Sequence, residues 1–229
     1  MSVTLSFVDR LFERALELEK RGLTASACRE LRRLLHIRPL TRKMVGQAAG
    51  RLGNLELERG QFAKARRHLS LAVSRLPRDA ELQNLLARAI EADETCAIDH
   101  AERPLQMCTR LEPKNPRYLI DLARFGAARG KTEDAADLLR RAFELGGDDP
   151  SVVAGVAEGL RDLGEMEEAQ RLLRTAQFRH GRDPRFRQLW NDHQFQVLWA
   201  RQQAARPSSA EEIPILHFAR QPVKQRLAK

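Results

Sequence analysis

Aromatic residues are scarce in this chain. Its 229 residues include nine Phe, two Trp and one Tyr, and Ala, Leu, Arg and Glu dominate instead. Sheets rely on β-branched and aromatic side chains to fill a pleated surface, so a β-rich architecture is disfavoured and an all-α fold is expected. Long apolar runs are missing as well: none approaches the roughly 18 uncharged residues that a membrane helix needs. The amino end, MSVTLSFVDRLFERALELEKRG, has no basic stretch leading into an apolar one, so no membrane partner is expected and the location is read as cytoplasmic. Cysteine is limited to Cys28, Cys96 and Cys108, an odd number without CxxC spacing. These read as buried free thiols in a reducing compartment.

Catalytic motifs are also absent, since no GxxxxGK[ST], GxGxxG, HExxH or GxSxG string occurs. Each of those strings places specific groups around a phosphate, a metal or a nucleophile, and without them no such chemistry is implied. The six histidines stand singly. His100, with Asp99 and Glu102 beside it, comes nearest to a cluster and reads as a charged helix surface. No cofactor, no metal and no enzymatic activity are expected.

What is present is 42% apolar and 31% charged residues, enough apolar content to fold. The net charge of +9 is uneven. Residues 1–79 hold 17 basic and 8 acidic side chains, residues 80–183 hold 15 and 20, and residues 184–229 hold 8 and 3. The ends are basic and the middle is acidic, a pattern that reads chiefly as solvated helix faces.

The strongest signal is periodic. Asn115-Pro116, Asp149-Pro150 and Asp183-Pro184 are 34 residues apart each time. Counted from Pro116, a repeat places Gly130, Ala135, Leu139 and Ala142 at positions 15, 20, 24 and 27; counted from Pro150 it places Gly164, Ala169, Leu173 and Ala176 there. A frame from Gly46 adds Gly60, Ala65, Leu69 and Ala72. A glycine between two amphipathic segments permits a sharp reversal, and alanines at fixed places let two helices approach closely. A frame from Val8 fits with four extra residues after it. The frame from Ala80 needs two extra residues near EADETCAID and carries Pro104 in its second helix, which predicts a kink or a late start there.

This pattern resembles the tetratricopeptide repeat, a 34-residue pair of antiparallel helices. The resemblance implies an all-α, right-handed superhelical solenoid of helix-turn-helix units at about 8–41, 46–79, 80–115, 116–149 and 150–183. A capping helix over 184–206 would cover the last pair with Phe186, Leu189, Trp190, Val197 and Leu198, and residues 207–229 would be a flexible tail. Thus 1–206 is one helical-repeat domain.

In that family the concave face is lined by first-helix positions 2, 5, 9, 12 and 13. Carried over, these positions collect Asn54, Asn84, Arg88, Arg117, Ile120 and Arg124 as a ligand groove, rich in amide and guanidinium donors suited to carboxylates. The arrangement is similar to the clamp by which some members hold chaperone C-termini, but Gly50, Asn54, Leu85, Arg117 and Asp121 match it at two of five places. The implied function is a non-enzymatic scaffold or adaptor that binds a peptide segment of another protein, with an acidic segment favoured by the arginines unless these pair with Glu81, Glu91, Asp121 and Glu158 and leave a neutral groove. The alternative is a helical-repeat nucleic-acid binder, with Arg29, Arg32, Arg33, Arg38, Arg42 and Lys43 of the basic first units on phosphates.

Overall fold

The computed structural model describes residues 6–37, 39–184, 186–188, 190–192, 194 and 197. Among them, ten α-helices follow one another in five pairs, and no strand occurs. The pairs are α1 (Phe7–Lys20) with α2 (Thr24–His36), α3 (Arg42–Glu58) with α4 (Phe62–Arg75), α5 (Ala80–Ala92) with α6 (Glu102–Leu111), α7 (Pro116–Ala128) with α8 (Thr132–Gly146), and α9 (Pro150–Asp162) with α10 (Met166–His180). Each helix packs on its partner and on the next helix in the chain, and α3 touches α5 as α7 touches α9. Every unit therefore completes its core with its neighbours, as in a solenoid. The described residues from Ser6 to Trp190 form one compact unit.

The periodic residues take on separate mechanical tasks. Asn115, Asp149 and Asp183 are N-caps, whose side chains accept from the amides of Arg117, Ser151 and Phe186. The proline after Asn115 and after Asp149 sits at the first helical position, where the missing N–H would have had no partner. Four pairs turn at Gly22, Gly60, Gly130 and Gly164, all with φ between 69° and 85°. At Gly60 the backbone closes a Schellman motif: Gly60 N–H donates to Leu57 and Gln61 N–H to Glu56.

The third pair has no glycine at this turn and is built differently. Asp93 ends α5, and its carboxylate accepts from the Thr95 amide and hydroxyl and from Arg66 Nε at 2.7 Å. A short 3-10 segment, Ile98–Ala101, precedes α6, which starts late at Glu102. Pro104 thereby falls in the first turn, where it breaks no internal hydrogen bond.

Close packing follows from the small residues. Ala15, Ala87, Ala123 and Ala157 in the first helices, and Ala27, Ala65, Ala135 and Ala169 in the second, are all buried. Leu31, Leu69, Leu105, Leu139 and Leu173 interleave with them. The approach is closest in the second pair, where a Cβ on Gly53 would stand 2.5 Å from Leu69 Cγ. Helix begins again at Pro184, and Phe186 is buried among Val153, Ala157, Leu173 and Ala176 with Trp190 packed beside it. Leu189, Leu198 and the rest of the expected cap and tail beyond residue 197 lie outside the described residues. So does Arg38.

Of the cysteines, Cys28 and Cys108 are buried and Cys96 is only half-buried, in the loop before the 3-10 segment. The Cys108 thiol donates to the Ala80 carbonyl, and burial pushes its pKa up to about 12.

Candidate functional site

The first helices present two depressions. One, of about 260 Å3, lies across the first three pairs and is lined by Phe12 and Leu16 of α1, Gln47, Arg51 and Asn54 of α3, and Glu81 of α5. The other, of about 510 Å3, extends from α5 to α9. Its charged lining comprises Arg88, Glu91, Asp121, Arg124 and Asp162, over an apolar surface that includes Ile98, Phe125 and Leu163.

The six residues expected to form one groove are thus divided. Asn54 belongs to the smaller cavity, where its amide donates to Glu58 at 3.1 Å on the same helix. Arg88 and Arg124 belong to the larger one. Asn84 is committed to Asp121, donating to it at 2.7 Å and joining α5 to α7. Arg117 reaches toward the start of the next first helix, with Asp149 at 3.6 Å and Ser151 Oγ at 3.5 Å. Ile120 is a correction: it is 7% exposed and packs against α9 at Gly155, so it is a core residue. Positions 5 and 9 lie one turn apart on the same side of α7, and Ile120 is buried because the next pair covers it at Gly155.

Glu91 and Asp121, named from the sequence as carboxylates that could pair with these arginines, line the larger cavity, and Asp162, which the sequence reading did not name, joins them. Glu91 and Asp162 stand at positions 12 and 13 of their frames, so extending the same positional rule to both signs would have placed them in the groove. Burial, with the nearby Asp121, pushes the Glu91 carboxyl above its ordinary range, although Arg124 and Arg88 pull the other way. The arginines therefore act within a mixed-charge site that already contains their counter-charges.

Arg29, Arg32 and Arg42, three of the basic residues of the first two units, are similarly employed. Arg32 donates to Glu56 Oε1 at 2.7 Å, and Glu56 is fully buried. His68 Nδ1 lies 2.6 Å from the other oxygen of the same carboxylate, so α2, α3 and α4 meet on one side chain. Arg42 donates to the Arg75 and Ser74 carbonyls at the end of α4, satisfying acceptors that a helix end leaves open. Arg29 donates to Ser26. These contacts are within the fold, and they leave the nucleic-acid alternative without a structural observation in its favour.

The neighbourhood of His100 disperses in the same way. Asp99 pairs with Arg129 and Glu102 with Lys131, both at the α7–α8 turn, while His100 Nδ1 stands 3.4 Å from Cys96 Sγ. Among the described residues, no group of three or more His, Cys, Asp or Glu side chains could hold a metal ion. Among the same residues, no helix is long and apolar enough to cross a membrane.

A family model described as tetratricopeptide repeat matches residues 126–189, which span α8 to α10 and the helical residues after them. No curated protein matches the chain. Solved structures similar to it include TTC0263, a thermophilic tetratricopeptide-repeat protein of Thermus thermophilus, at 20% identity and a TM-score of 0.61, covering 82% of this chain and 99% of that one. YrrB, described as such a protein with an unusual peptide-binding site, matches at 13% identity and 0.60, covering 79% and 90%. A MamA fragment from Desulfovibrio magneticus RS-1 matches at 23% identity and 0.54, covering 60% and 75%. At these identities the likeness is one of fold. With the four glycine turns and the consecutive packed helix pairs, the chain has the fold of tetratricopeptide-repeat proteins, and its residues 126–189 match that family's model.

Proposed function

We propose that this protein is a non-enzymatic scaffold whose first-helix face forms a groove for an extended segment of another protein. The observation that carries this reading is the way the smaller cavity is lined. Phe12 and Leu16, Gln47 and Asn54, and Glu81 come from three successive pairs, so a ligand that touched all of them would have to run across the stack. A segment lying there would bury apolar surface on α1 and reach amide groups on α3, the combination of apolar contact and a few placed polar groups that recognition sites use. YrrB, similar in fold, is described as having an unusual peptide-binding site, which supports peptide binding as a use of this fold.

The test is photo-crosslinking from the groove. Gln47 is exposed on α3, and a benzophenone side chain can replace it in the full chain without disturbing the core. Peptides selected from a random library on the immobilised protein should crosslink to that position and should compete with one another. Selected peptides that crosslink only from exposed second-helix positions such as Arg67, or a library that yields no binders, would refute the reading.

A further inference from the structure

We propose that the cavity between α5 and α9 is a subsite for one basic side chain, a lysine or arginine with an apolar neighbour, on the bound segment. This rests on the preceding reading and adds the chemistry that the segment must carry. It also reverses the acidic preference expected from Arg88, Arg117 and Arg124.

The charge balance decides the sign. Arg117 does not line this cavity, and the two arginines that do share it with Glu91, Asp121 and Asp162. All five residues fall within 80–183, the stretch with 20 acidic and 15 basic side chains. Asn84 donates to one oxygen of Asp121, which fixes that carboxylate between α5 and α7. Ile98, Phe125 and Leu163 reduce the share of water around these charges, so a cation brought among them is attracted more strongly than at an open surface. The same surroundings give a flanking apolar side chain something to cover, Ile98 being 44% exposed.

Glu91 bears on the same balance. Two guanidinium groups act on it, yet burial and Asp121 still hold its carboxyl above the ordinary range. Burial, more than any lack of positive charge, disfavours its ionised form; an incoming ammonium or guanidinium group placed beside Glu91 and Asp121 is attracted to both, whereas an incoming carboxylate adds to their repulsion. The volume of about 510 Å3 lies within the range of small-ligand pockets and accommodates a long side chain.

The experiment begins with peptides selected from a random library on the full chain and crosslinked to position 47, so that their use of the first-helix face is established separately. A fluorescein-labelled selected peptide is then titrated by anisotropy, alongside a version with its Lys or Arg replaced by norleucine. Norleucine keeps the apolar stem and removes the charge. The expected loss is about tenfold or more, the low end for close interfacial charge pairs. Glu91→Gln should weaken the charged peptide similarly and leave the norleucine peptide unchanged, whereas Arg88→Gln should tighten the charged peptide. Cooperative thermal unfolding by circular dichroism, with a midpoint no lower than that of the parent chain, would show that the variants are folded, and Asp162→Asn at an exposed position repeats the test if Glu91→Gln does not fold. Selected peptides that use Asp or Glu as their charged anchor, or equal affinity for the charged and norleucine peptides, would overturn the subsite while leaving the scaffold reading intact. Failure to obtain any peptide that crosslinks at position 47 would overturn both.

Discussion

Replacing Arg32 with methionine isolates the cost of leaving a buried carboxylate half-partnered. Glu56 has no exposed surface, and its two oxygens have one partner each: Arg32 at 2.7 Å and His68 at 2.6 Å. Methionine retains much of the apolar stem of Arg32 and removes the guanidinium, so Glu56 Oε1 loses its donor. Breaking a buried ion pair by deleting one partner costs about 3–5 kcal/mol. The Arg32 side chain is 39% exposed, so water reaches the mouth of the site and part of that cost is recovered. The expected loss for Arg32→Met is therefore about 2–3 kcal/mol, well above the roughly 0.5 kcal/mol of an ordinary surface substitution. Arg32→Met combined with Glu56→Leu and His68→Leu should recover most of the loss, because a wholly apolar cluster has no orphaned charge.

Urea denaturation followed by circular dichroism gives the totals. Native-state hydrogen exchange localises them to α2, α3 and α4, a precaution needed where repeats open separately. The reasoning is refuted if Arg32→Met costs no more than a surface change, or if the triple variant is as unstable as the single one.

Three further outcomes follow from the same structure. Gly130→Ala should cost about 1–2 kcal/mol through its φ of +76° alone, since a Cβ there meets nothing within 4 Å, and Gly130→Asn should cost less; Gly53→Ala in α3 should cost more because of the clash with Leu69, and equal urea midpoints for the two alanine variants would contradict this. Phe186→Ala should lower stability by about 3–5 kcal/mol, since Phe186 is 1% exposed and closes the core of the last pair, a loss measurable as a fall in thermal midpoint. Glu91→Gln should raise stability at neutral pH. The raised carboxyl favours the folded state only while it is protonated, so its contribution is present below the ordinary glutamate range and lost as pH rises through the raised value; stability measured against pH should therefore fall less steeply across that window in the variant, and an unchanged slope would count against it.

Local signals in the sequence were sufficient for the framework of helix pairs. A left-handed turn is available to glycine and strained for other residues, so Gly22, Gly60, Gly130 and Gly164 mark reversals wherever they recur at one spacing. Asn115 and Asp149 before proline are N-caps for equally local reasons: a short acceptor, a fixed φ and no donor to lose. In the irregular third pair Pro104 left a kink or a late start open, and the helix starts late, at Glu102. What side chains do across the stack was decided by tertiary structure. The repeat position of Ile120 placed it in the groove, while packing against Gly155 put it in the core. Arg32 looked available to a phosphate until a carboxylate 24 residues away, itself enclosed by α2 and α4, became its partner. The division of the expected groove, with Arg88 and Arg124 among three carboxylates, arose in the same way. Backbone turns depend on a few adjacent residues, whereas a long charged side chain takes the partner that the folded chain brings within reach, and that distance appears in no local pattern.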